Sequence, residues 1–203
     1  MDTTLPPSHP LSTRALKWLS TLERRSAVPV AEVESLILDA GLPCFDVWLD
    51  FHERYAGFVE PIGLDQAVWG LIHAAPSWLS PMRPEFDREP DEDTWYIACA
   101  DAHPSYDYSL DNRGEFVGAP AESFDVIVER NALGWEFRQR GSTRALTGDE
   151  LRGENFRQVF EKQIRPFLVP EASDKHSRYY LSPQYLLVEN ATTGDLRRGR
   201  AYR

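Results

Sequence analysis

The side chains that most often do chemistry in proteins come closest together in one segment of this 203-residue chain. Asp101 and His103 are separated by one residue, and Asp107 and Asp111 follow within the next eight positions. Imidazole and carboxylate groups bind divalent cations, so this spacing is compatible with a metal site or a metal-dependent hydrolase. A single D-x-H pair is also common by chance. The favoured alternative is that these side chains face solvent on the strands and turns of a hairpin.

A second possible reactive group is Cys44, which precedes a predicted helix. A helix N-terminus lowers the pKa of a thiol, so a Cys–His nucleophile is conceivable. Cys44 stands among apolar residues, however, and a small buried hydrophobic residue is the simpler interpretation. His52 lies on an apolar helix face and is predicted to be a packed, hydrogen-bonded residue at the edge of the core. The chain has no nucleophile elbow, phosphate-binding loop, dinucleotide fingerprint or zinc motif, so we expect no cofactor, no metal and no enzymatic activity.

Charge is unevenly distributed along the chain. From Glu85 to Asp111 there are nine acidic residues against Arg88 alone, a net charge of −8 out of −10 for the whole chain. The end, from Asp195 to Arg203, has four arginines against one aspartate. The two stretches could simply be solvated faces that offset one another. The functional alternative is an acidic recognition surface with aromatic anchors, for which the predicted contact residues are Asp91, Glu92, Asp93, Trp95, Asp101 and Asp107.

Composition limits the class of protein. A length of 203 residues with 42% hydrophobic residues suits one ordinary domain with a substantial core. The net charge of −10 argues against nucleic acid and anionic membrane surfaces as partners. Two cysteines without C-x-x-C spacing indicate reduced thiols, and the first residues lack a signal peptide pattern. We therefore expect a cytoplasmic protein that is a monomer or a homodimer.

The organisation predicted from periodicity is a Pro-rich tail over residues 1–11 and a single domain over residues 12–203. Three short helices come first, and Ser12 or Thr13 caps the first of them. The second ends at Gly41, and the third runs to Gly57. The residues expected on the inward faces of the first and third helices are Ala15, Leu16, Leu19 and Leu22, with Trp18 at the border, and Phe45, Trp48, Leu49, His52 and Tyr55.

The middle of the chain is predicted to be a set of antiparallel strands. Residues 66–73 and 94–100 have strand composition, and a hairpin turns at residues 111–114. The proline-rich stretch 76–93 is predicted to be a long surface loop. A helix after Ser123, another over residues 149–164 and late strands at 179–181 and 185–189 complete the pattern, which indicates an α+β fold.

The third helix begins a pattern that resembles a known family. Its residues are Leu42-Pro43-x-Phe45-x-x-Trp48-Leu49-x-Phe51-x-x-Arg54-Tyr55-x-Gly57. The strand over residues 94–100, the YSLDNRGEF hairpin over 108–116 and Ser123-Phe124 at a helix start then follow. This order is similar to that of the SMI1/KNR4 family of the SUKH superfamily. The similarity covers roughly Leu16 to Trp135, and the Asn-Gly-Gly that commonly follows the helix in the family is Ala56-Gly57-Phe58 here.

The resemblance implies N-terminal helices packed on a bent antiparallel sheet, with further C-terminal helices. It also implies a non-enzymatic binding role, because many bacterial members are immunity proteins that neutralise a cognate toxin. A basic, nuclease-like toxin would suit the acidic composition. Fungal members are regulatory adaptors, so an adaptor or scaffold without a toxin partner is the alternative function. A metal-dependent enzyme using Asp101 and His103 is the third.

Overall fold

The computed structural model describes residues 10–72, 86–88, 93–102 and 108–202. They form two compact units. One unit, called the acidic unit below, is Ser20–Pro120, which has 19 acidic and 6 basic residues and a net charge of −13. The other, called the basic unit, combines Ser8–Leu19 with Ala121–Arg203 and has 12 acidic and 16 basic residues, a net charge of +4. The single domain expected over residues 12–203 stays a prediction.

Each unit contains both helices and antiparallel strands, which confirms the α+β class. The helices are α1 (Thr13–Leu19), α2 (Val30–Asp39), α3 (Asp46–Tyr55), α4 (Phe124–Gln139), α5 (Gly148–Arg152) and α6 (Glu154–Val159). The strands are β1 (Glu23–Arg24), β2 (Phe58–Ile62), β3 (Asp65–Trp69), β4 (Phe86–Arg88), β5 (Trp95–Ala98), β6 (Ala100–Asp101), β7 (Ser109–Asp111), β8 (Thr143–Ala145), β9 (Ser177–Leu181), β10 (Tyr185–Asn190) and β11 (Leu196–Tyr202). In the described ranges, no helix has the length and apolar character needed to cross a membrane.

Helix α2 ends as its sequence predicts. Gly41 has φ +72°, a conformation that glycine adopts without steric cost. The backbone N–H of Leu42 donates to the carbonyl of Ile37 at 3.3 Å, and that of Gly41 donates to Leu38 at 2.9 Å. These two bonds satisfy carbonyls that the end of a helix leaves without intrahelical partners.

Helix α3 supplies much of the core of the acidic unit. It buries Trp48, Phe51, His52 and Tyr55. Phe51 is buried, whereas Leu49, which was expected on this face, is only half-buried.

Gly57 follows α3 with φ +88°, and a Cβ placed there would lie 2.2 Å from the carbonyl oxygen of Arg25. The backbone of this turn therefore requires glycine.

The acidic unit contains two antiparallel sheets. Their strand orders are β1-β2-β3-β6 and β4-β5-β7. The chain passes from the second sheet to the first at Cys99, whose N–H donates to Tyr108 at 2.7 Å and whose carbonyl accepts from Gly70 at 2.9 Å. The prediction of a loop over residues 76–93 is wrong in part, because residues 86–88 form strand β4 and pair with β5. The remainder of that loop, residues 76–85 and 89–92, lies outside the described residues.

The basic unit is built on one antiparallel sheet in the order β8-β11-β10-β9. One core cluster on this sheet contains Leu151, Phe160, Ile164, Tyr180 and Leu187, and a second cluster contains Leu133, Val169 and Ala172. The helix expected over residues 149–164 is wrong as a continuous element. It is divided between α5 and α6 at Gly153, which has extended φ and ψ angles, and its last turn, Phe160–Ile164, is π-helical.

Helix α1 packs on α4, although more than 100 residues separate them in the sequence. Ser12 caps α1 by accepting from the N–H of Ala15 at 3.1 Å, as expected. Its own N–H and hydroxyl donate to the two carboxylate oxygens of Glu129, at 2.6 and 2.7 Å. The inward face differs from the expected one, because Trp18 is buried and Leu16 is 56% exposed.

Candidate functional site

The structure describes three of the six contact residues that were predicted from the sequence. Asp93, Trp95 and Asp101 are described, whereas Asp91, Glu92 and Asp107 lie outside the described residues. Trp95 begins β5 and is half-buried, and Asp93 and Asp101 are exposed. Asp101 lies on β6, which belongs to a different sheet from β5.

Trp95 is the centre of a small polar cluster, called the Trp95 platform below and composed of Arg88, Asp93, Trp95 and Asn112. Arg88 pairs with Trp95 in the β4–β5 register, and its guanidinium lies 5.2 Å from the centre of the Trp95 ring. A cation over an indole face at this distance is attracted by the ring quadrupole. Arg88 also lies 3.5 Å from the carboxylate of Asp93, so one cation contacts both the aromatic ring and the acidic residue.

Asn112 fixes the start of β5 from the neighbouring hairpin. Its side-chain amide donates to the carbonyl of Asp93 at 3.1 Å, and its side-chain oxygen accepts from the N–H of Trp95 at 3.4 Å. Residues 93 and 95 are therefore positioned by a turn that is 17 residues away in sequence. The spacing of acidic residues in the sequence contained no signal for the roles of Arg88 and Asn112.

The hairpin turn itself is organised by Asp111. Its carboxylate accepts from the N–H groups of Arg113 at 2.9 Å and Glu115 at 2.8 Å, and its carbonyl accepts from Trp48 Nε1 at 2.8 Å. Leu110 and Phe116 then form an antiparallel bridge, which confirms the predicted hairpin. The Asp111 carboxylate is thus occupied by backbone donors of its own turn.

The metal hypothesis has little geometric support in the described part of the chain. Asp101 is exposed, Asp111 is buried in its turn, and His103 and Asp107 lie outside the described residues. Among the residues that the structure describes, no three His, Cys, Asp or Glu side chains are grouped as a metal site requires.

Cys44 is half-buried just before α3. Burial raises the pKa of its thiol, and the negative charges of Glu34 and Asp46 raise it further. Both effects favour the protonated thiol over the thiolate that a nucleophile requires. The environment therefore opposes the Cys–His hypothesis.

His52 is buried and hydrogen-bonded at both ring nitrogens. Nδ1 accepts from the N–H of Leu71 at 3.1 Å, so Nε2 carries the proton and donates to the carbonyl of Val28 at 2.8 Å. Burial lowers the pKa of His52, and the bond to Val28 partly opposes that shift. The side chain therefore ties together three segments of the acidic unit as a neutral imidazole, which confirms the hydrogen-bonded core-edge interpretation.

Sequence reasoning did not identify Glu60 as a buried carboxylate. Glu60 on β2 is 9% exposed, and its Oε2 accepts from Trp69 Nε1 at 3.1 Å and from the hydroxyl of Tyr108 at 2.9 Å. Trp69 also meets Tyr55 edge-on, with 6.1 Å between ring centres. Strand β2 contains a proline and has no regular alternation, so nothing local pointed to this group.

The charge of the two units differs in how it is compensated. In the basic unit, seven arginines lie within 3.4 Å of a carboxylate oxygen, namely Arg14, Arg130, Arg140, Arg144, Arg152, Arg165 and Arg178. The acidic unit has 19 acidic residues and only 6 basic ones, so its basic residues are too few to pair one to one with most of its carboxylates. Comparison with protein-family models, curated proteins and solved structures finds no match to this chain.

Proposed function

We propose that this protein is a non-enzymatic immunity protein of the SMI1/KNR4 type, which binds and neutralises a cognate basic toxin in the cytoplasm. The observation that carries the proposal is the Trp95 platform, a half-buried indole beside the exposed Asp93 in a unit with a net charge of −13. The sequence pattern from Leu42 to Gly57 supports the family, and the α+β architecture is compatible with it.

Two physical effects make such a surface suitable for a basic protein partner. A unit with a large net charge of one sign attracts an oppositely charged partner over a distance and raises the association rate. An aromatic ring at the centre of the contact supplies burial, which slows dissociation. Arg88 already covers one face of the Trp95 ring, so a basic partner would replace or extend an existing cation–aromatic contact.

The first experiment is a pull-down with the tagged protein from lysate of the source organism, at low and then moderate salt. We expect one stoichiometric partner that survives the wash and is toxic when it is expressed alone. Several partners of moderate affinity and no toxin would favour the adaptor function and contradict the proposal.

The surface is then tested by charge reversal. The variant Asp87→Lys, Asp93→Lys, Asp101→Lys reverses three exposed acidic residues of the acidic unit, one of which, Asp93, belongs to the Trp95 platform. We expect it to weaken binding by at least tenfold and to flatten the salt dependence. The control Glu32→Lys, Glu34→Lys, Asp39→Lys changes the same charge on the exposed face of α2. Equal losses for both variants would assign binding to net charge and would contradict a specific surface.

The aromatic anchor has its own matched pair of variants. Trp95→Ala is expected to reduce affinity by at least tenfold with most of the change in the dissociation rate. Trp135→Ala removes another half-buried tryptophan, from α4 in the basic unit, and is expected to leave affinity unchanged. A variant that reverses Asp91, Glu92 and Asp107 tests the remaining residues predicted from the sequence.

A further inference from the structure

Strand β11 carries three arginines that differ from the seven arginines of the basic unit that contact carboxylates. Arg197, Arg198 and Arg200 are all exposed. Seven arginines elsewhere in the unit contact carboxylates, whereas none of these three side chains has a hydrogen bond or an ion pair with any residue that the structure describes.

The exposure of Arg197 next to Arg198 results from a break in the β10–β11 register. Val188 pairs with Arg198, but the next residue, Glu189, pairs with Leu196, so Arg197 is an additional residue opposite no partner. A bulge of this kind bends the strand and redirects side chains. The bulge explains why two consecutive residues, Arg197 and Arg198, are exposed on a strand whose side chains otherwise alternate between more and less exposed positions.

The opposite face of β11 is closely packed at Gly199, and the bulge keeps Arg197 off that face. Gly199 lies against the core, where an added Cβ would be 2.6 Å from Leu187, 2.8 Å from Leu146 and 3.1 Å from Leu151. In a regular strand, Arg197 would share the face of Gly199, because residues two apart point the same way. The bulge therefore places a third guanidinium in solvent instead of at the edge of this core.

The residues of β10 that pair with Arg198 and Arg200 place apolar side chains beside the charged ones. Arg198 lies opposite Val188 and Arg200 lies opposite Leu186, and both aliphatic residues are half-buried. Arginine beside partly exposed apolar side chains is typical of protein interfaces. Arginine also pairs with carboxylates through two parallel hydrogen bonds.

From these observations we propose that Arg197, Arg198 and Arg200 form a docking surface for an acidic segment of a partner protein. The three arginines belong to the basic unit, whereas the acidic contact residues of the proposed function belong to the acidic unit. Carboxylates are favoured over the phosphates of a nucleic acid. The net charge of −10 on the chain repels a long polyanion, whereas a short acidic segment meets mainly the local field of the three arginines.

The test measures binding of a fluorescent glutamate-rich peptide to the full chain, in low and moderate salt. We expect salt-sensitive binding that weakens at least about fivefold in Arg197→Gln, Arg198→Gln, Arg200→Gln, because the variant loses three exposed ion pairs that each contribute modestly. The control Arg152→Gln, Arg157→Gln, Lys162→Gln removes three charges from exposed positions on α5, α6 and the π-helical turn and is expected to retain binding.

Two further measurements keep the result interpretable. Thermal unfolding of both triple variants verifies that they fold. The variant Arg197→Lys, Arg198→Lys, Arg200→Lys keeps the positive charges, so its binding should still weaken as salt is added. Absence of peptide binding, or equal loss in the two glutamine variants, would overturn the proposal. Tighter binding of single-stranded DNA, or self-association of the protein through the same arginines, would overturn it as well.

Discussion

The acidic and basic units bury polar groups in different ways. In the acidic unit, His52 and Asp111 are held mainly by backbone groups of neighbouring segments, and no cation is involved in those bonds. In the basic unit, Arg130 and Asp174 form a buried ion pair at 2.8 Å, with side chains that are 8% and 1% exposed. The comparison teaches that the net charge of a unit does not determine what its core contains. In the more highly charged unit, the buried carboxylates of Glu60 and Asp111 accept from uncharged donors, namely the side chains of Trp69 and Tyr108 and backbone N–H groups.

The largest expected effect is loss of the buried ion pair. Asp174→Ala should lower the free energy of unfolding by about 3–5 kcal/mol, because it leaves the Arg130 guanidinium buried without its counter-charge. It also removes the acceptor for the N–H groups of Glu122, His176 and Ser177. Urea unfolding monitored by circular dichroism provides the measurement.

The matched control is Asp149→Ala. Asp149 also pairs with an arginine, at 3.0 Å, but its side chain is 96% exposed. We expect a change within about 0.5 kcal/mol. Similar losses in both variants would contradict the view that burial makes the pair in the basic unit important.

The next effect concerns the backbone of the acidic unit. Gly57→Ala should destabilise the protein by about 3 kcal/mol or more, because the added methyl group meets the Arg25 carbonyl and the backbone has φ +88°. Gly63→Ala is the control, with φ +63° and open space around the added atom. Its expected cost is about 1–2 kcal/mol from conformation alone. Equal costs, measured by urea unfolding, would show that the turn at Gly57 can relax.

A smaller, pH-dependent effect is expected at His52. Its folded-state pKa lies below the usual value of 6.5, so its contribution to stability is present above pH 6.5 and is lost as the pH falls from there towards the folded-state pKa. Between pH 7.5 and pH 5.5, the free energy of unfolding should therefore fall more in the wild-type protein than in His52→Gln. An identical pH dependence in both proteins would contradict the buried, neutral imidazole.

The smallest effect on stability is expected for Asp93→Ala. The Arg88–Asp93 contact is long, at 3.5 Å, and the Asp93 side chain is fully exposed. The change in the free energy of unfolding should stay within about 0.5 kcal/mol. Asp93→Ala therefore tests binding without changing the stability of the acidic unit. A large drop in the thermal unfolding temperature of this variant would show that the Trp95 platform is structural.

The features that the sequence predicted correctly are those that depend on a few adjacent residues. Gly41 ends α2, Ser12 caps α1, and the turn at residues 111–114 joins two strand segments. Each requires a particular side chain or backbone conformation at one position. The α+β class followed from the order of such elements.

The strands that were missed depend on contacts far along the chain. Strand β11 contains three arginines and no alternation of apolar residues, and it forms because β8 and β10 flank it. The same limit applies to the candidate site. Trp95 and Asp93 were singled out by residue type, but the positions of Arg88 and Asn112 beside them come from sheet register and a distant turn.

The packing of α1 on α4 has a consequence for synthesis of the chain. Ser12 and Glu129, which hold the two helices together, are 117 residues apart. At ribosomal rates of about 5–20 residues per second, α1 is made roughly 6–23 s before its partner. The whole sequence of the acidic unit is produced in that interval, while α1 has no α4 to pack on. Helix α1 therefore cannot reach its final packing until α4 has been synthesised.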